Sequence, residues 1–157
     1  MRIGIGYDVH PFERGRALVL GGVRIDHDAG LAGHSDADVL THAVIDALLG
    51  AAALGDIGQH FPSDDARYRD ANSLDLLRRA VGMVADAGYS VGNIDATIVA
   101  EQPKLAPHIG AIRSSLAEAL GVEIGAVSVK ATTADRLGTI GRGEGIAAQA
   151  VALLDSM

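Results

Sequence analysis

Val39-Leu40-Thr41-His42-Ala43-Val44-Ile45-Asp46-Ala47-Leu48-Leu49 is the stretch that decides the fold of this 157-residue chain. Its spacing predicts a helix from Ala37 to about Leu54 that is apolar almost all round, and such a helix is buried on most sides. Asp38, His42 and Asp46 interrupt the apolar surface at i, i+4 and i+8, which places them on one face. Asp38 has an alternative role in capping, and a lone His42 is more often a core histidine than a ligand. Because a buried carboxylate needs a partner, Asp46 is predicted to hold His42 as a metal ligand.

Two more candidate ligands follow the first apolar run, Arg2 to Tyr7, which predicts a strand that then passes into a loop. Asp8 and His10 are two positions apart, and side chains at i and i+2 of an extended chain point the same way. Zinc accepts carboxylate oxygens and imidazole nitrogens at about 2 Å. The pair alone is better explained by a surface hydrogen bond. With His42 it forms a three-ligand set whose open fourth position is typical of catalytic zinc.

Composition excludes several classes of function. The chain has no cysteine, so disulfides and thiolate metal sites are absent. A net charge of -7 argues against a nucleic-acid partner, because no basic stripe is available to displace counterions. No leader and no long apolar run are present, so we expect a cytoplasmic protein without a membrane partner. The length and the hydrophobic content of 48% predict one domain over residues 1–157.

The remaining patterns predict an α+β fold in which a mixed four-stranded sheet carries helices on one face. Ser35, with Asp38 three positions later, is the predicted cap of the first helix. The other predicted elements are an extended segment over Leu18 to Ile25, helices over Ser73 to Ala87 and Pro107 to Leu120, and strands over Asn93 to Ala100, Val127 to Thr132 and Ile146 to Leu154.

Several loops carry groups that suit a phosphate. Lys104 follows one predicted strand, and the hydroxyls of Thr132 and Thr133 stand at the end of the next. Arg142 lies in a glycine-rich turn just before the last predicted strand. Cations, hydroxyls and free backbone N–H groups are the usual phosphate partners. No Walker-type motif occurs, and each loop alone is explained by structure. Together with the two-histidine, one-carboxylate set, they favour metal-assisted phosphoryl chemistry.

Motifs spread over essentially the whole chain resemble those of the 2-C-methyl-D-erythritol 2,4-cyclodiphosphate synthase family. They are Gly6-Tyr7-Asp8-Val9-His10, Gly33 to Asp38, Asp46 to Gly58, Phe61-Pro62, Gln102 to His108, Val129 to Thr133 and Gly141 to Gly145. The resemblance implies a homotrimer with active sites between neighbouring subunits. It also implies Zn²⁺ or another divalent transition metal, and a second ion, Mg²⁺ or Mn²⁺.

The implied substrate is a cytidine diphosphate compound, 4-diphosphocytidyl-2-C-methyl-D-erythritol 2-phosphate. Its 2-phosphate attacks the β-phosphorus, closes a cyclic diphosphate and expels CMP, a step of non-mevalonate isoprenoid biosynthesis. Alternatives from other classes are a zinc-dependent hydrolase of a nucleoside diphosphate compound and a non-catalytic nucleotide-binding module with a structural metal. Three protein ligands leave the zinc open, which disfavours the last of these.

Carried over by position, the resemblance assigns the zinc to Asp8, His10 and His42 and the second ion to Asp135. His34 and Thr133 are the implied catalytic residues. His34 and Ser35 would contact the phosphates, the segments Asp56 to Gly58 and Phe61 to Asp65 the methylerythritol, and the loop Ala100 to Ala106 the cytidine. The implied substrate-binding set is Asp8, Val9, His10, His34, Ser35, Asp56, Ile57, Gly58, Phe61, Pro62, Ser63, Asp64, Asp65, Ala100, Lys104, Leu105, Ala106, Thr132, Thr133, Asp135, Thr139 and Arg142.

Three positions depart from the family pattern. Asp135 stands where the family usually has Glu, and Ser63 where Asp is common, although Asp64 and Asp65 follow it. Thr139 stands where an aromatic residue is frequent beside Arg142, near the apolar cavity that the family's trimer encloses.

Overall fold

A computed structural model describes residues 1–157. The strands are β1 Arg2–Arg14, β2 Leu18–Leu20, β3 Val23–Ile25, β4 Ala29–Leu31, β5 Tyr89–Val99, β6 Val127–Thr132 and β7 Gly145–Ser156. The helices are α1 Val39–Ala51, α2 Ile57–His60, α3 Ser73–Asp86, α4 Ile109–Leu120 and α5 Gly138–Gly141. None of these helices has the length and apolar character needed to cross a membrane.

The main sheet has the strand order β4-β1-β7-β5-β6, and β2 and β3 form a separate hairpin. β5 and β6 are parallel, whereas the other neighbouring pairs are antiparallel. The predicted α+β fold with a mixed sheet is therefore confirmed. The sheet has five strands instead of four, because Ala29–Leu31 pairs with the far end of β1. A strand of three residues is too short to show an alternating pattern.

The helices α1, α3 and α4 cover one face of the main sheet, as predicted. α1 lies over β1 and β7, and every residue of α1 except Asp46 and Gly50 is buried. The bounds of α3 and α4 follow the predicted ones closely, and Gly121 ends α4 in the left-handed conformation.

Two glycines of β1 allow α1 to pack directly on the sheet. A Cβ atom at Gly4 would lie 2.1 Å from the carbonyl oxygen of Ala47, and one at Gly6 would lie 1.8 Å from that of Ala43. No real Cβ atom comes that close to backbone, so only glycine fits at either position. The partner strand contributes small side chains on the same face, Ala148, Ala150 and Ala152. This close approach places His42, the residue before Ala43, beside the middle of β1.

The structure corrects two of the predicted boundaries near the site. β1 continues to Arg14, so Asp8 and His10 lie inside a strand and not at its end. They still share one face, because extended geometry holds on both sides of them. The first helix stops at Ala51 and not near Leu54, since Ala53 adopts φ of 60° and leaves the helical region.

The cap of α1 is also corrected. Asp38, and not Ser35, is the N-cap, and its carboxylate accepts the backbone N–H of Thr41 at 3.0 Å. The same carboxylate accepts the N–H groups of Gly21 at 2.9 Å and Gly22 at 2.7 Å in the turn between β2 and β3. Complete burial raises the pKa of the Asp38 carboxyl. Asp38 therefore ties the hairpin to α1 and does not take part in the metal set.

Candidate metal centre and substrate pocket

Asp8, His10 and His42 bring three ligand atoms to one point between β1 and α1. Asp8 Oδ2 lies 2.8 Å from His10 Nε2 and 3.1 Å from His42 Nδ1, and the two nitrogens are 3.3 Å apart. Ligand atoms about 2.0–2.1 Å from a tetrahedral zinc are roughly 3.3 Å from one another. The set therefore fits a divalent transition metal of that size, and its three members are those predicted from the sequence.

The outer nitrogens of both histidines are hydrogen-bonded away from this point. His10 Nδ1 lies 2.7 Å from the carbonyl oxygen of Ala32, which can only accept, so this nitrogen carries the proton and Nε2 offers a lone pair. His42 Nε2 lies 2.8 Å from Ser73 Oγ. The Asp8 carboxylate and the inner nitrogens of the two histidines repel unless a positive charge lies between them, so the point that a shared proton bridges in these hydrogen bonds also suits a bound cation.

The electrostatics of the cluster follow from its contacts. Burial by itself raises the pKa of the Asp8 carboxyl, but the hydrogen bonds with His10 and His42 outweigh it and hold that pKa well below its usual range. Burial likewise lowers the pKa of His10, while the hydrogen bond with Asp8 and its negative charge overcome this and raise it. Asp8 is thus a carboxylate at every physiological pH, which is the form that binds metals.

The prediction that Asp46 holds His42 is wrong. Asp46 Oδ1 accepts the backbone N–H of Ile57 at 2.7 Å, and Ser73 takes the outer nitrogen of His42 instead. Burial raises the pKa of the Asp46 carboxyl, and the nearby charges of Asp56 and Asp8 add to this increase. Asp46 therefore anchors the start of α2 and does not hold His42, although Asp46 and His42 lie on the same face of α1.

The candidate metal ligands Asp8, His10 and His42 line a pocket of about 210 Å³. Its other walls come from the residues before α1, from α2 and the segment that follows it, and from α3. They are His34, Ser35, Ile57, Gly58, Phe61, Ser63, Tyr68 and Leu76. No lysine or arginine lines this pocket.

A second pocket of about 350 Å³ lies between the loop after β5 and the end of β6. Its lining residues include Ala100, Glu101, Lys104, Leu105, Ala106, Thr132 and Thr133. The two pockets share no lining residue, so one chain holds the metal ligands and the cationic loop apart.

The YgbB family model matches residues 1–155. A protein of Pseudomonas aeruginosa named 2-C-methyl-D-erythritol 2,4-cyclodiphosphate synthase is 63% identical over 98% of this chain and 98% of its own length. The chain belongs to this synthase family.

Solved structures of the synthase family have the same fold. One described as the synthase in a CDP-bound form superimposes with a TM-score of 0.90 at 37% identity, covering 98% of this chain and 100% of the other. The IspF protein of Plasmodium falciparum, solved as a CDP complex, gives a TM-score of 0.86 at 34% identity, covering 99% of this chain and 96% of the other.

Of the residues assigned by resemblance to the synthase family, most line one of the two pockets. His34 Nε2 donates to the carbonyl oxygen of Asp65 at 2.8 Å and presents the rest of its ring to the metal pocket. Val9, by contrast, points to the uncovered face of the sheet. Asp56 caps α2, and Asp65 forms an ion pair with Arg67 at 2.6 Å. Pro62 and Asp64 lie in the segment that follows α2 and do not line the metal pocket.

Three further assigned residues lie outside both pockets. Asp135 is exposed on the loop after β6, where its N–H donates to Thr133 Oγ1 at 3.2 Å. Thr139 is exposed on α5. Arg142 lines a third pocket, near Arg14 and Arg136, and its Nε donates to Glu144 at 2.7 Å.

Reasoning from the sequence missed three residues of these sites and the role of a fourth. Tyr68 and Leu76 line the metal pocket, and Ser73 contacts His42. Glu101 accepts the N–H groups of Ala134 at 2.8 Å and Arg136 at 3.2 Å and so shapes the loop that carries Asp135. Ser73 is 31 positions from His42 and Glu101 is 33 from Ala134, and no local pattern signals pairs so distant.

Proposed function

We propose that this chain converts 4-diphosphocytidyl-2-C-methyl-D-erythritol 2-phosphate to 2-C-methyl-D-erythritol 2,4-cyclodiphosphate and CMP. The cluster of Asp8, His10 and His42 in the wall of a pocket is the observation that carries the proposal. High identity to named synthases over nearly the whole chain supports the substrate. We propose that residues 1–157 form one synthase domain, and its cytoplasmic location stays a prediction.

The reaction is an intramolecular phosphoryl transfer. An oxygen of the 2-phosphate forms a bond to the β-phosphorus, and the bond from that phosphorus to the CMP oxygen breaks, with the electron pair leaving on CMP. Holding the substrate folded gives the two phosphates a high effective concentration. Because the attacking oxygen is already an anion, no general base is needed. Positioning and neutralisation of charge therefore account for the rate.

The chain's own residues supply the positioning. Ser35 Oγ accepts the N–H of Ala37 at 3.2 Å, which leaves its hydroxyl proton free to donate to a phosphate oxygen. Phe61 and Leu76 give the pocket apolar walls that exclude water around the methylerythritol. Thr133, with Lys104, would hold the phosphates on the cytidine side. When bound by Asp8, His10 and His42, zinc supplies Lewis-acid polarisation of a phosphoryl oxygen.

The source of the transferred oxygen tests the reaction class. We expect conversion in H₂¹⁸O to release CMP and give a cyclic product without ¹⁸O, because no water enters the reaction. The measurement is mass spectrometry of both products, with a zinc phosphatase acting on the same substrate as a positive control. Incorporation of ¹⁸O into either product would identify the hydrolase alternative, which no observation on this chain favours.

A homotrimer with active sites between subunits is the second part of the proposal. The metal pocket has no cation and holds about 210 Å³, less than the roughly 300 Å³ at which ligand sites usually start. The loop pocket has Lys104 and room for a base. Joining the metal pocket of one subunit to the loop pocket of the next would provide both. The uncovered sheet face supports such an assembly, because Ile3, Ile5 and Tyr7 are 72%, 63% and 60% exposed in a row along β1.

Complementation between two inactive variants tests this arrangement. His42→Ala removes the metal half of a site and Lys104→Ala removes the cationic half, so each homotrimer is inactive. In trimers mixed at random from equal amounts, about a quarter of the sites between subunits combine two intact halves. Purification through two tags removes the inactive homotrimers and leaves one intact site in three, so we expect about a third of wild-type activity from the co-expressed mixed trimers. No activity in mixed trimers would place the whole site within one subunit.

For the second ion we propose Mg²⁺ or Mn²⁺ near Asp135, on the loop shaped by Glu101. Asp135→Ala is expected to raise the Mg²⁺ concentration for half-maximal activity about tenfold or more, since one carboxylate ligand is lost. Titration of activity with Mg²⁺ at saturating zinc measures the effect. Asp86→Ala, which removes an exposed carboxylate from α3, is the matched control. An unchanged Mg²⁺ dependence would remove Asp135 from the ion site.

A further inference from the structure

Behind the metal ligand His42 lies a buried polar contact that none of the assigned roles uses. His42 Nε2 is 2.8 Å from Ser73 Oγ, and Ser73, the first residue of α3, is fully buried. Ser73 in turn is bound twice by Asp36: the hydroxyl donates to Oδ1, and the backbone N–H donates to Oδ2 at 3.0 Å. Asp36, Ser73 and His42, which come from separate segments, therefore form a chain of hydrogen bonds that ends at the proposed metal site.

Asp36 determines the direction of each hydrogen bond in this chain. Both carboxylate oxygens of Asp36 can only accept, so the one hydroxyl proton of Ser73 points to Asp36. Ser73 Oγ is then left as an acceptor towards His42, and Nε2 must carry the proton of the imidazole. The remaining nitrogen, Nδ1, keeps its lone pair and is the atom that faces Asp8 and His10.

We propose that Asp36, acting through Ser73, is the positioning residue that keeps His42 in the Nε2–H tautomer and so presents Nδ1 to the metal. The proposal rests on the metal centre of the proposed function. A carboxylate behind a ligating histidine orients the ring and increases its basicity, and here a serine hydroxyl carries that effect across one more bond.

Ser35 does not provide the same control. Its Oγ lies 3.2 Å from His42 Nε2, longer than the contact with Ser73, and it also accepts the N–H of Ala37. Apart from His42 Nε2, no atom of the chain accepts the hydroxyl proton of Ser35, so once Nε2 carries its own proton the Ser35 hydroxyl points into the pocket. Only the contact through Ser73 has its proton direction set by a charge.

The first test is spectroscopic, and its main readout needs only the wild-type protein. In the zinc-loaded wild-type protein, long-range ¹H–¹⁵N correlation should show His42 with a proton on Nε2 and the metal on Nδ1. Zinc on Nε2, or a proton on Nδ1, would overturn the proposal. The same spectrum of Asp36→Asn should show the His42 Nε2–H proton moved upfield. The asparagine amide carries no charge, so the hydrogen bond from His42 to Ser73 is weaker.

The second test measures zinc affinity by competition with a chelator. Loss of an outer partner of a metal-bound histidine typically weakens metal binding 10–100-fold, so we expect at least a tenfold loss for both Ser73→Ala and Asp36→Asn. Asp75→Asn is the matched control, because it removes one negative charge two residues after Ser73, in the first turn of α3, while its side chain contacts only Arg78. That control should bind zinc within twofold of wild type.

The outcomes separate this proposal from the metal centre itself. If wild type binds zinc and both Ser73→Ala and Asp36→Asn bind it with an affinity within twofold of wild type, the role of Asp36 is overturned and the metal centre stands. A wild-type protein that binds no zinc would overturn the centre and the role of Asp36 together. Thermal unfolding of each variant shows that the loss of zinc is measured on folded protein, and Asp36→Asn serves if Ser73→Ala does not fold.

Discussion

His42→Ala is expected to abolish stoichiometric zinc binding and to lower activity by on the order of a thousandfold. The change removes the nitrogen that lies 3.1 Å from Asp8 Oδ2 and 3.3 Å from His10 Nε2, and two protein ligands do not hold zinc tightly. The alanine should leave the backbone of α1 in place, because alanine favours a helix more than histidine does. Elemental analysis of the purified variant gives the zinc content per subunit.

His27→Ala is the control for this prediction. His27 lies between β3 and β4, contacts the Phe12 ring at 5.5 Å and has no part in the metal cluster. This variant should keep its full zinc content. If His42→Ala also retained a full complement of zinc, His42 would be excluded from the ligand set, and the pocket would need another explanation.

Gly6→Ala is expected to destabilise the protein by about 3 kcal/mol or more and to remove the zinc with it. The added Cβ would lie 1.8 Å from the carbonyl oxygen of Ala43, and this contact is with backbone that cannot rotate away. Either α1 lifts from the sheet or β1 bends, and both changes separate His42 from Asp8. Unfolding in urea measures the loss of stability, and elemental analysis measures the zinc.

Gly82→Ala is the matched substitution in the interior of α3. No atom lies within 4 Å of a Cβ added there, so the change should stabilise the helix by about 0.5–1 kcal/mol. Opposite signs at Gly6 and Gly82 would show that contact with α1, and not the loss of glycine flexibility, determines the effect. Equal stability of Gly6→Ala and wild type would contradict the close packing of α1 on β1.

The ligand set illustrates what can be predicted from the sequence. Asp8 and His10 share a face because alternation is a property of any extended chain, and this held although the strand is longer than predicted. His42 stands out because a histidine on a helix that is otherwise apolar needs a partner. In both cases the information lies within a few neighbouring residues.

The second contact of His42 illustrates what could not be predicted. Asp46 has the right type and the right spacing, yet its oxygen binds the N–H of Ile57. Helical spacing puts two residues on one face but does not say which third element each of them meets. That depends on where α3 begins relative to α1, and Ser73 reaches His42 only because the two helices pack side by side.

By itself, the sequence determined the kinds of secondary structure, the mixed α+β class, the three candidate metal ligands and the family resemblance. All of these depend on local periodicity, residue chemistry and motif order. The tertiary structure alone decided the distances: the seating of α1 on the glycines of β1, the Asp36–Ser73 support behind His42, and the separation of the two pockets. These depend on contacts between residues far apart in the chain, which arise from close packing of whole elements and are not written in any short stretch of sequence.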